Sequence, residues 1–333
     1  MARPSKRRRA DATTGGSAPS SIPSSARPAS SPSRPPGSTR PASSTPSRYR
    51  TQRVEVPRPW WQAPWAWGGA VTVVVVALVV VFIVLGTRPA AKSTSPSSSN
   101  PLAPGSVLAA VTGVSPSVSS TIAAGGVADP LESISGSPAA LTGPGSKPEL
   151  FYLGAEFCPY CGAERWSVVI ALSRFGTFTD LHTTTSSSTD VYPNTNTFSF
   201  YGSSYSSSYL DFAPIESADR NQNTLQTPTA AEQALVTTYD TSPYSTQAGG
   251  IPFQDLANRY IVSGSGASPE VLQGMTWQQI AGTLTDATSQ VAKPIIGNAN
   301  WVTAGICEVT GNQPGSVCSA APIPSLESQL GSS

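Results

Sequence analysis

A Cys-x-x-Cys pair lies between an apolar run and an amphipathic run, which predicts a strand, a tight turn and a helix in succession. Residues 147–155 are apolar enough to predict a buried strand, and residues 164–174 repeat their apolar side chains at a helical period. Cys158 therefore stands at the N-terminus of a predicted helix, where unpaired backbone N–H groups and the helix dipole stabilise a thiolate. Such a thiolate attacks disulfides, and Cys161 is near enough in sequence to resolve the mixed disulfide.

An uncharged apolar run at residues 68–85 separates a basic half of the chain from an acidic half. Residues 1–60 carry twelve Lys and Arg against two acids, whereas residues 93–333 carry six against seventeen. The run is about the length of a membrane-crossing helix, and four tryptophans precede it as an interfacial aromatic belt would. The positive-inside rule then places the N-terminus in the cytoplasm and the C-terminal part outside. We predict a single-pass anchor, with a cleaved signal peptide as the alternative.

Composition divides the chain into five regions. The first is rich in Pro, Ser and Arg and cannot bury enough apolar surface to fold. Its basic cluster at residues 6–9 is typical of either a nucleic-acid contact or a solvated tail, and we favour the tail because no aromatic residue interleaves the arginines. The predicted regions are a disordered basic cytoplasmic tail (1–59), an anchor with its aromatic belt (60–87), a Ser/Pro-rich linker (88–105), an extracytoplasmic domain (106–320) and a C-terminal tail (321–333).

Within the extracytoplasmic domain, the sequence alternates between helical and strand patterns. A strand at 181–185 is expected to complete a βαβ unit with the strand before Cys158. The Ser- and Tyr-rich residues 198–212 predict an inserted hairpin, and the alternative is a segment that binds a partner. Residues 249–262 predict two strands that turn at Ala257 and Asn258. Helices are expected at 106–111, 115–125, 228–239, 277–289 and 298–308.

A Cys-x-x-Cys pair alone is also typical of zinc ribbons and structural disulfides. Three further features favour a redox site. The pair stands at a strand-to-helix turn, and the predicted topology places it outside the cytoplasm, where an oxidised dithiol persists. Further along the chain, Ile251 and Pro252 come immediately before a predicted strand, with glycines ahead of them.

Two motifs resemble the thioredoxin superfamily. Residues 155–161, Ala-Glu-Phe-Cys-Pro-Tyr-Cys, resemble its active-site turn, with the Pro-Tyr pair typical of glutaredoxins, and residues 250–253, Gly-Ile-Pro-Phe, resemble its cis-proline loop. The resemblance implies a thioredoxin-like α/β fold, with a central mixed sheet flanked by helices and the Ser/Tyr-rich hairpin inserted. It also implies a cis bond before Pro252, for which an ordinary trans proline is the alternative. The implied catalytic residues are Cys158, Cys161 and Pro252, and the implied substrate-groove residues are Pro159, Tyr160 and Ile251.

Residues 106–318 are more closely similar to an uncharacterised thioredoxin-like group, the domain-of-unknown-function 929 family. The likeness is carried by residues 163–166, 171–178, 187–193 and 198–203. That family has no assigned reaction, so the likeness implies a fold more than a function.

Two positions, Tyr152 and Tyr160, depart from the residues that related proteins carry there. Thioredoxins carry a buried Asp six residues before the first Cys, where this chain has Tyr152, so the usual buried base for the second thiol is missing. Glu156 is expected to point to solvent. Disulfide-forming Dsb proteins often have His between the cysteines, where this chain has Tyr160.

Cys307 and Cys318 enclose ten residues that include Gly and Pro, which predicts a structural disulfide outside the cytoplasm. The alternatives are a second redox pair that exchanges electrons with the first, or a metal site made by all four cysteines. His182, the one histidine of the chain, falls in a predicted strand and is expected to be structural rather than catalytic.

Together these features predict a membrane-anchored, extracytoplasmic thiol–disulfide oxidoreductase that acts on protein cysteines. The alternative is a redox-inert binding or scaffold module of the cell envelope, with structural disulfides. The expected partners are proteins that carry thiols or disulfides, a membrane electron-transfer partner, and the lipid bilayer through residues 68–85. We expect no nucleic-acid partner, no cofactor and no bound metal.

Overall fold

The computed structural model describes residues 99–331. They form a mixed α/β fold in which helices flank a five-stranded mixed sheet. The strands are β1 (Glu132–Ser133), β2 (Glu149–Gly154), β3 (Gly176–Thr179), β4 (His182–Thr185), β5 (Asn196–Ser199), β6 (Ser204–Ser207), β7 (Asp211–Glu216), β8 (Phe253–Leu256) and β9 (Tyr260–Ser263). The helices are α1 (Gly105–Thr112), α2 (Pro116–Ile122), α3 (Pro159–Ser173), α4 (Ala230–Tyr239), α5 (Trp277–Thr283), α6 (Ala292–Val309), α7 (Gly315–Cys318) and α8 (Ile323–Glu327), with a 3-10 helix at Pro269–Leu272.

The central sheet has the strand order β1-β9-β8-β2-β7. Strand β2 pairs in parallel with β7 on one side and antiparallel with β8 on the other. Strands β8 and β9 form the predicted hairpin, which turns at Ala257 and Asn258, both with positive φ. Because β2 is the strand that leads to the cysteines, the site lies at the end of an interior strand, between β8 and β7.

Alternate side chains of β2 enter two different apolar clusters. Leu150 and Tyr152 pack with α3 and α6 on one face of the sheet. Phe151 and Leu153 pack with Val236 of α4 on the other face. A strand covered on both faces is held rigidly, so the residues that follow β2 start from a fixed position.

The predicted βαβ unit has the wrong second strand. Strand β4 forms at residues 182–185, but it pairs with β5 in a separate two-stranded sheet. The parallel neighbour of β2 is β7, which begins some 25 residues after the end of β4. Strand β7 places half-buried apolar side chains against both apolar clusters, Phe212 against the larger and Ala213 and Ile215 against the smaller, which the Thr-rich β4 could not do.

The predicted inserted hairpin at 198–212 is also wrong. Its residues contribute to three different sheets, because β5 pairs with β4, β6 pairs with β3 and β7 joins the central sheet. The cause is the two phenylalanines at the start of the segment, which pack inward. The ring centroids of Phe198 and Trp166 lie 4.5 Å apart, and those of Phe200 and Tyr152 lie 5.2 Å apart.

The folded part extends past both ends of the range 106–320 that composition predicts. Before it, Pro101 and Ala103 exchange backbone hydrogen bonds with Thr183 and Leu181 beside β4. After it, Ile323 and Leu326 of α8 are buried in the larger apolar cluster. Among the helices, α6 begins six residues earlier than predicted, and α5 ends six residues earlier.

Within residues 99–331, no helix combines the length and the apolar character needed to cross a bilayer. The predicted anchor at 68–85 and the predicted tail at 1–59 lie outside the described residues, as does the first part of the linker.

Candidate functional site

Cys158 occupies the N-cap of α3, as the sequence predicts. Its Sγ accepts a hydrogen bond from the backbone N–H of Cys161 at 3.2 Å, which satisfies one of the unpaired donors of the first turn. Pro159 is the first helical residue, where its missing N–H costs nothing. The helix therefore begins at the cysteine pair, with the positive end of its dipole at Cys158.

The two thiols have different acidities. Both cysteines are free and buried, Cys158 at 6 % exposure and Cys161 at 0 %. A hydrogen bond from the Cys161 thiol lowers the pKa of Cys158; burial opposes it, and the Cys161 N–H and the Arg165 guanidinium lower it further. Burial raises the pKa of Cys161 well above its ordinary value, and its bond to Cys158 raises it further. At neutral pH the negative charge thus forms preferentially on Cys158.

The loop before β8 lies against Cys158. The Ile251–Pro252 peptide bond is cis, in agreement with the expectation for Pro252. The carbonyl oxygen of Ile251 lies 3.7 Å from Sγ of Cys158 and accepts its weak thiol hydrogen bond. Strand β8 then begins at Phe253, which pairs with Leu153 of β2. The fold thus brings residues that are more than 90 positions apart in sequence to one end of β2.

Tyr160 forms the exposed rim of the site. Its side chain is 42 % exposed, and its ring meets the ring of Tyr192 edge to face at a centroid distance of 5.9 Å. Val191, which precedes Tyr192 in the chain, is 66 % exposed, whereas Pro159 is buried. An apolar surface therefore lies beside the cysteine that heads the helix.

A buried ion pair stands behind the cysteines, and the sequence interpretation missed it. Arg165 of α3 donates through Nε to Oε1 of Glu216 at 2.8 Å and through Nη2 to Oε2 at 2.5 Å. Both side chains have 0 % exposure. Burial alone would lower the pKa of Arg165, but the carboxylate of Glu216 raises it, so the guanidinium stays charged. The available signal was an arginine within a helix that is buried along most of its length.

Tyr152 occupies the position of the missing acid and is completely buried. Its hydroxyl has no hydrogen-bond partner among residues 99–331. Burial raises its pKa well above the ordinary value, so the phenol is neutral. Gly154 makes room for the ring, because a Cβ at that position would lie 2.5 Å from the Tyr152 hydroxyl oxygen.

The expectation that Glu156 points to solvent is wrong. Its side chain is 2 % exposed and accepts three hydrogen bonds, from Asn100 at 2.6 Å, Ser199 at 2.5 Å and Thr184 at 3.1 Å. The end of the linker and the two small strands β4 and β5 supply these donors. Because the donors come from distant segments, Glu156 looked isolated in sequence.

Cys307 and Cys318 form a disulfide that joins the end of α6 to α7. His182 lies in β4, opposite Ser199 of β5, and is 8 % exposed. Within the described part of the chain, no group of three or more His, Cys, Asp or Glu side chains is arranged to hold a metal ion.

Comparison with known proteins gives one family. The family model described as Domain of unknown function (DUF929) matches residues 134–308, which is more than half of the chain. This match includes both free cysteines and Pro252, and it confirms the similarity predicted from residues 163–203. Searches of curated proteins and of solved structures gave no match.

Proposed function

The chain belongs to the DUF929 family, and we propose that this member is a thiol–disulfide oxidoreductase with a thioredoxin-like domain. Cys158 attacks a disulfide of a protein substrate, and Cys161 resolves the mixed disulfide. The observation that carries the proposal is the asymmetry of the two thiols. One caps a helix and has a lowered pKa, and the other is buried beneath it with a raised pKa.

The arrangement of the chain around the cysteines supports the thioredoxin-like assignment. A parallel pair, β2 and β7, is joined through α3, and a Cys-x-x-Cys pair beside such a βαβ unit is typical of that superfamily. The loop with the cis peptide bond lies against Cys158, which agrees with the loop position that the resemblance implies.

The proposed substrate groove lies between the exposed ring of Tyr160 and the loop at Ile251 and Pro252. A cysteine-containing segment of a secreted or membrane protein enters there in extended form, with its apolar side chains against the rim. We place the domain outside the cytoplasm, held by an anchor at 68–85, where it receives or delivers electrons through a membrane partner.

The experiment compares the full-length protein with Cys158→Ser in the dithiol-driven reduction of a protein disulfide. We expect Cys158→Ser to lose essentially all exchange activity, because the nucleophile is gone. Cys161→Ser is expected to accumulate a mixed disulfide through Cys158, visible on a non-reducing gel. The matched control is Cys307→Ser/Cys318→Ser, which removes the other pair and keeps the exchange rate. Equal rates for wild type and Cys158→Ser would disprove the enzymatic function.

A redox-inert module is the second candidate, and the low exposure of Cys158 favours it. The alkylation rate of Cys158 distinguishes the redox-inert module from the oxidoreductase. If Cys158 is a working nucleophile, the reduced protein reacts with iodoacetamide at a rate whose pH midpoint lies below about 8.5, the ordinary thiol pKa. The rate is expected to fall as pH drops through that midpoint, because the thiolate is the reactive species. A slow reaction with a midpoint above the ordinary value favours the inert module.

A further inference from the structure

Arg165 uses only part of its capacity to donate hydrogen bonds. Nε and Nη2 bind the two oxygens of Glu216, whereas Nη1 is buried without an acceptor among residues 99–331. A guanidinium has five N–H donors, and a buried charged donor that lacks an acceptor costs free energy. An unpaired, buried Nη1 on a guanidinium whose charge acts on both thiols points to an acceptor that exists in another state of the site.

Helix geometry places Arg165 beside both cysteines. It follows Cys161 by four residues, so these two side chains lie on one face of α3 with their Cβ atoms about 5–6 Å apart, and Cys158 caps the same helix. Glu216 anchors the guanidinium from the end of β7, where it is paired in register with Gly154. The ion pair therefore links the cysteine helix to the end of the central sheet.

The other groups at this place do not supply a second cation. Tyr152 approaches from β2 and is neutral, and Glu156 is close enough for its charge to act on Glu216. Arg165 is the cation whose charge acts on both thiols. Any negative charge that forms on Cys161 is therefore compensated by Arg165.

The proposed exchange reaction requires such a charge. In the direction that reduces a substrate, Cys161 loses its proton to water, and its sulfur attacks the Cys158 sulfur of the mixed disulfide. The Cys158–Cys161 bond forms, the bond from Cys158 to the substrate sulfur breaks, and the substrate leaves as a thiolate that takes up a proton. The two-electron oxidation of the cysteine pair balances the two-electron reduction of the substrate disulfide. The attacking thiolate arises where burial opposes it.

We propose that Nη1 of Arg165 is the hydrogen-bond donor and counter-charge of the Cys161 sulfur when that sulfur is a thiolate, and that Glu216 holds the guanidinium in position. This inference rests on the proposed exchange activity and adds how its buried thiol is activated. Glu216 acts through Arg165 and is a positioning residue. Because Arg165 favours the thiolates, it also favours the reduced pair over its disulfide.

The test compares the full-length wild-type protein with the double variant Arg165→Met/Glu216→Leu, which removes both charges and keeps apolar volume. Thiol ionisation is followed by thiolate absorbance as pH rises, and the Cys158–Cys161 disulfide is equilibrated with glutathione. We expect the thiols of the variant to ionise at higher pH. We also expect the equilibrium to move at least tenfold toward the disulfide, which is about 30 mV.

A second variant and a control complete the design. Arg165→Lys keeps the positive charge but loses the planar guanidinium, which binds Glu216 through two nitrogens and has a third available for the sulfur. We therefore expect the same changes in thiol ionisation and in the glutathione equilibrium, each of smaller size. The control Lys147→Met/Asp211→Leu removes the ion pair at the other end of β7 and is expected to leave both quantities unchanged. Wild-type ionisation and a wild-type equilibrium in either folded Arg165 variant would overturn the proposal. Neither measurement uses a protein substrate, so the result is independent of whether the exchange assay succeeds.

Discussion

Glu216→Gln is expected to destabilise the folded protein by about 3–5 kcal/mol. The substitution leaves the buried Arg165 guanidinium without its counter-charge, while Gln offers only one oxygen to the two donors. Neither side chain has any exposure through which water would compensate the charge. Urea unfolding of the full-length protein, followed by near-ultraviolet circular dichroism, measures the loss as a lower midpoint at unchanged slope.

The matched control is again Arg165→Met/Glu216→Leu. Replacing both members of a buried ion pair with apolar side chains of similar volume is often neutral or stabilising. We therefore expect the double variant to be clearly more stable than Glu216→Gln. A double variant as unstable as the single one would mean that packing, rather than charge compensation, accounts for the loss.

Asp255→Asn is expected to remove the loss of stability that ionisation of the Asp255 carboxyl causes between acid and neutral pH. Asp255 lies in β8 with 0 % exposure, and its Oδ1 accepts the N–H of Asn258 at 2.7 Å. Its Oδ2 has no partner among residues 99–331. Burial raises its pKa to about 7, with the Asn258 N–H opposing and Glu149 adding to the rise.

The direction in which stability changes with pH follows from the direction of the pKa change of Asp255. The folded chain binds the proton of Asp255 more tightly than the unfolded chain, whose Asp pKa is about 3.9. The stabilisation is therefore complete below about pH 3.9 and is lost as pH rises through about 7, a total of about 4 kcal/mol.

An Asn at this position keeps the bond to Asn258 and carries no charge, so the variant resembles the protonated wild type at every pH. Urea midpoints of the two proteins should separate progressively as pH rises from about 3.9 to about 7 and stay apart above that, with Asp255→Asn the more stable protein. Parallel curves for the two proteins would contradict the assignment of this pH dependence to Asp255.

Local features of the fold were predictable from the sequence because neighbouring residues encode them. The run before Cys158 and the helix after it differ in period, and the turn at Ala257 and Asn258 separates two short apolar runs. The N-cap position of Cys158 followed from the same local order. Pro252 stood out because proline is the residue at which a cis bond is tolerated.

Features that depend on strand pairing were not predictable in the same way. The pairing of β2 with β7 depends on which of several short strands places apolar side chains against both clusters, and β4 precedes β7 in the chain. The partners of Glu156 come from three segments, and Glu216 lies 51 positions after Arg165. The fold alone brings Glu156 and Glu216 to their partners.

The ion pair also restricts how the family is able to change by mutation. A chain in which only Arg165 or only Glu216 is replaced contains one buried, uncompensated charge. The two positions should therefore vary together among DUF929 sequences, as an Arg with an acid or as two uncharged residues. Gly154, which is paired in register with Glu216, adds a third constraint, because a side chain at position 154 would collide with the ring of Tyr152. An alignment of the family would show these positions as one co-varying set, although they lie on two strands and a helix.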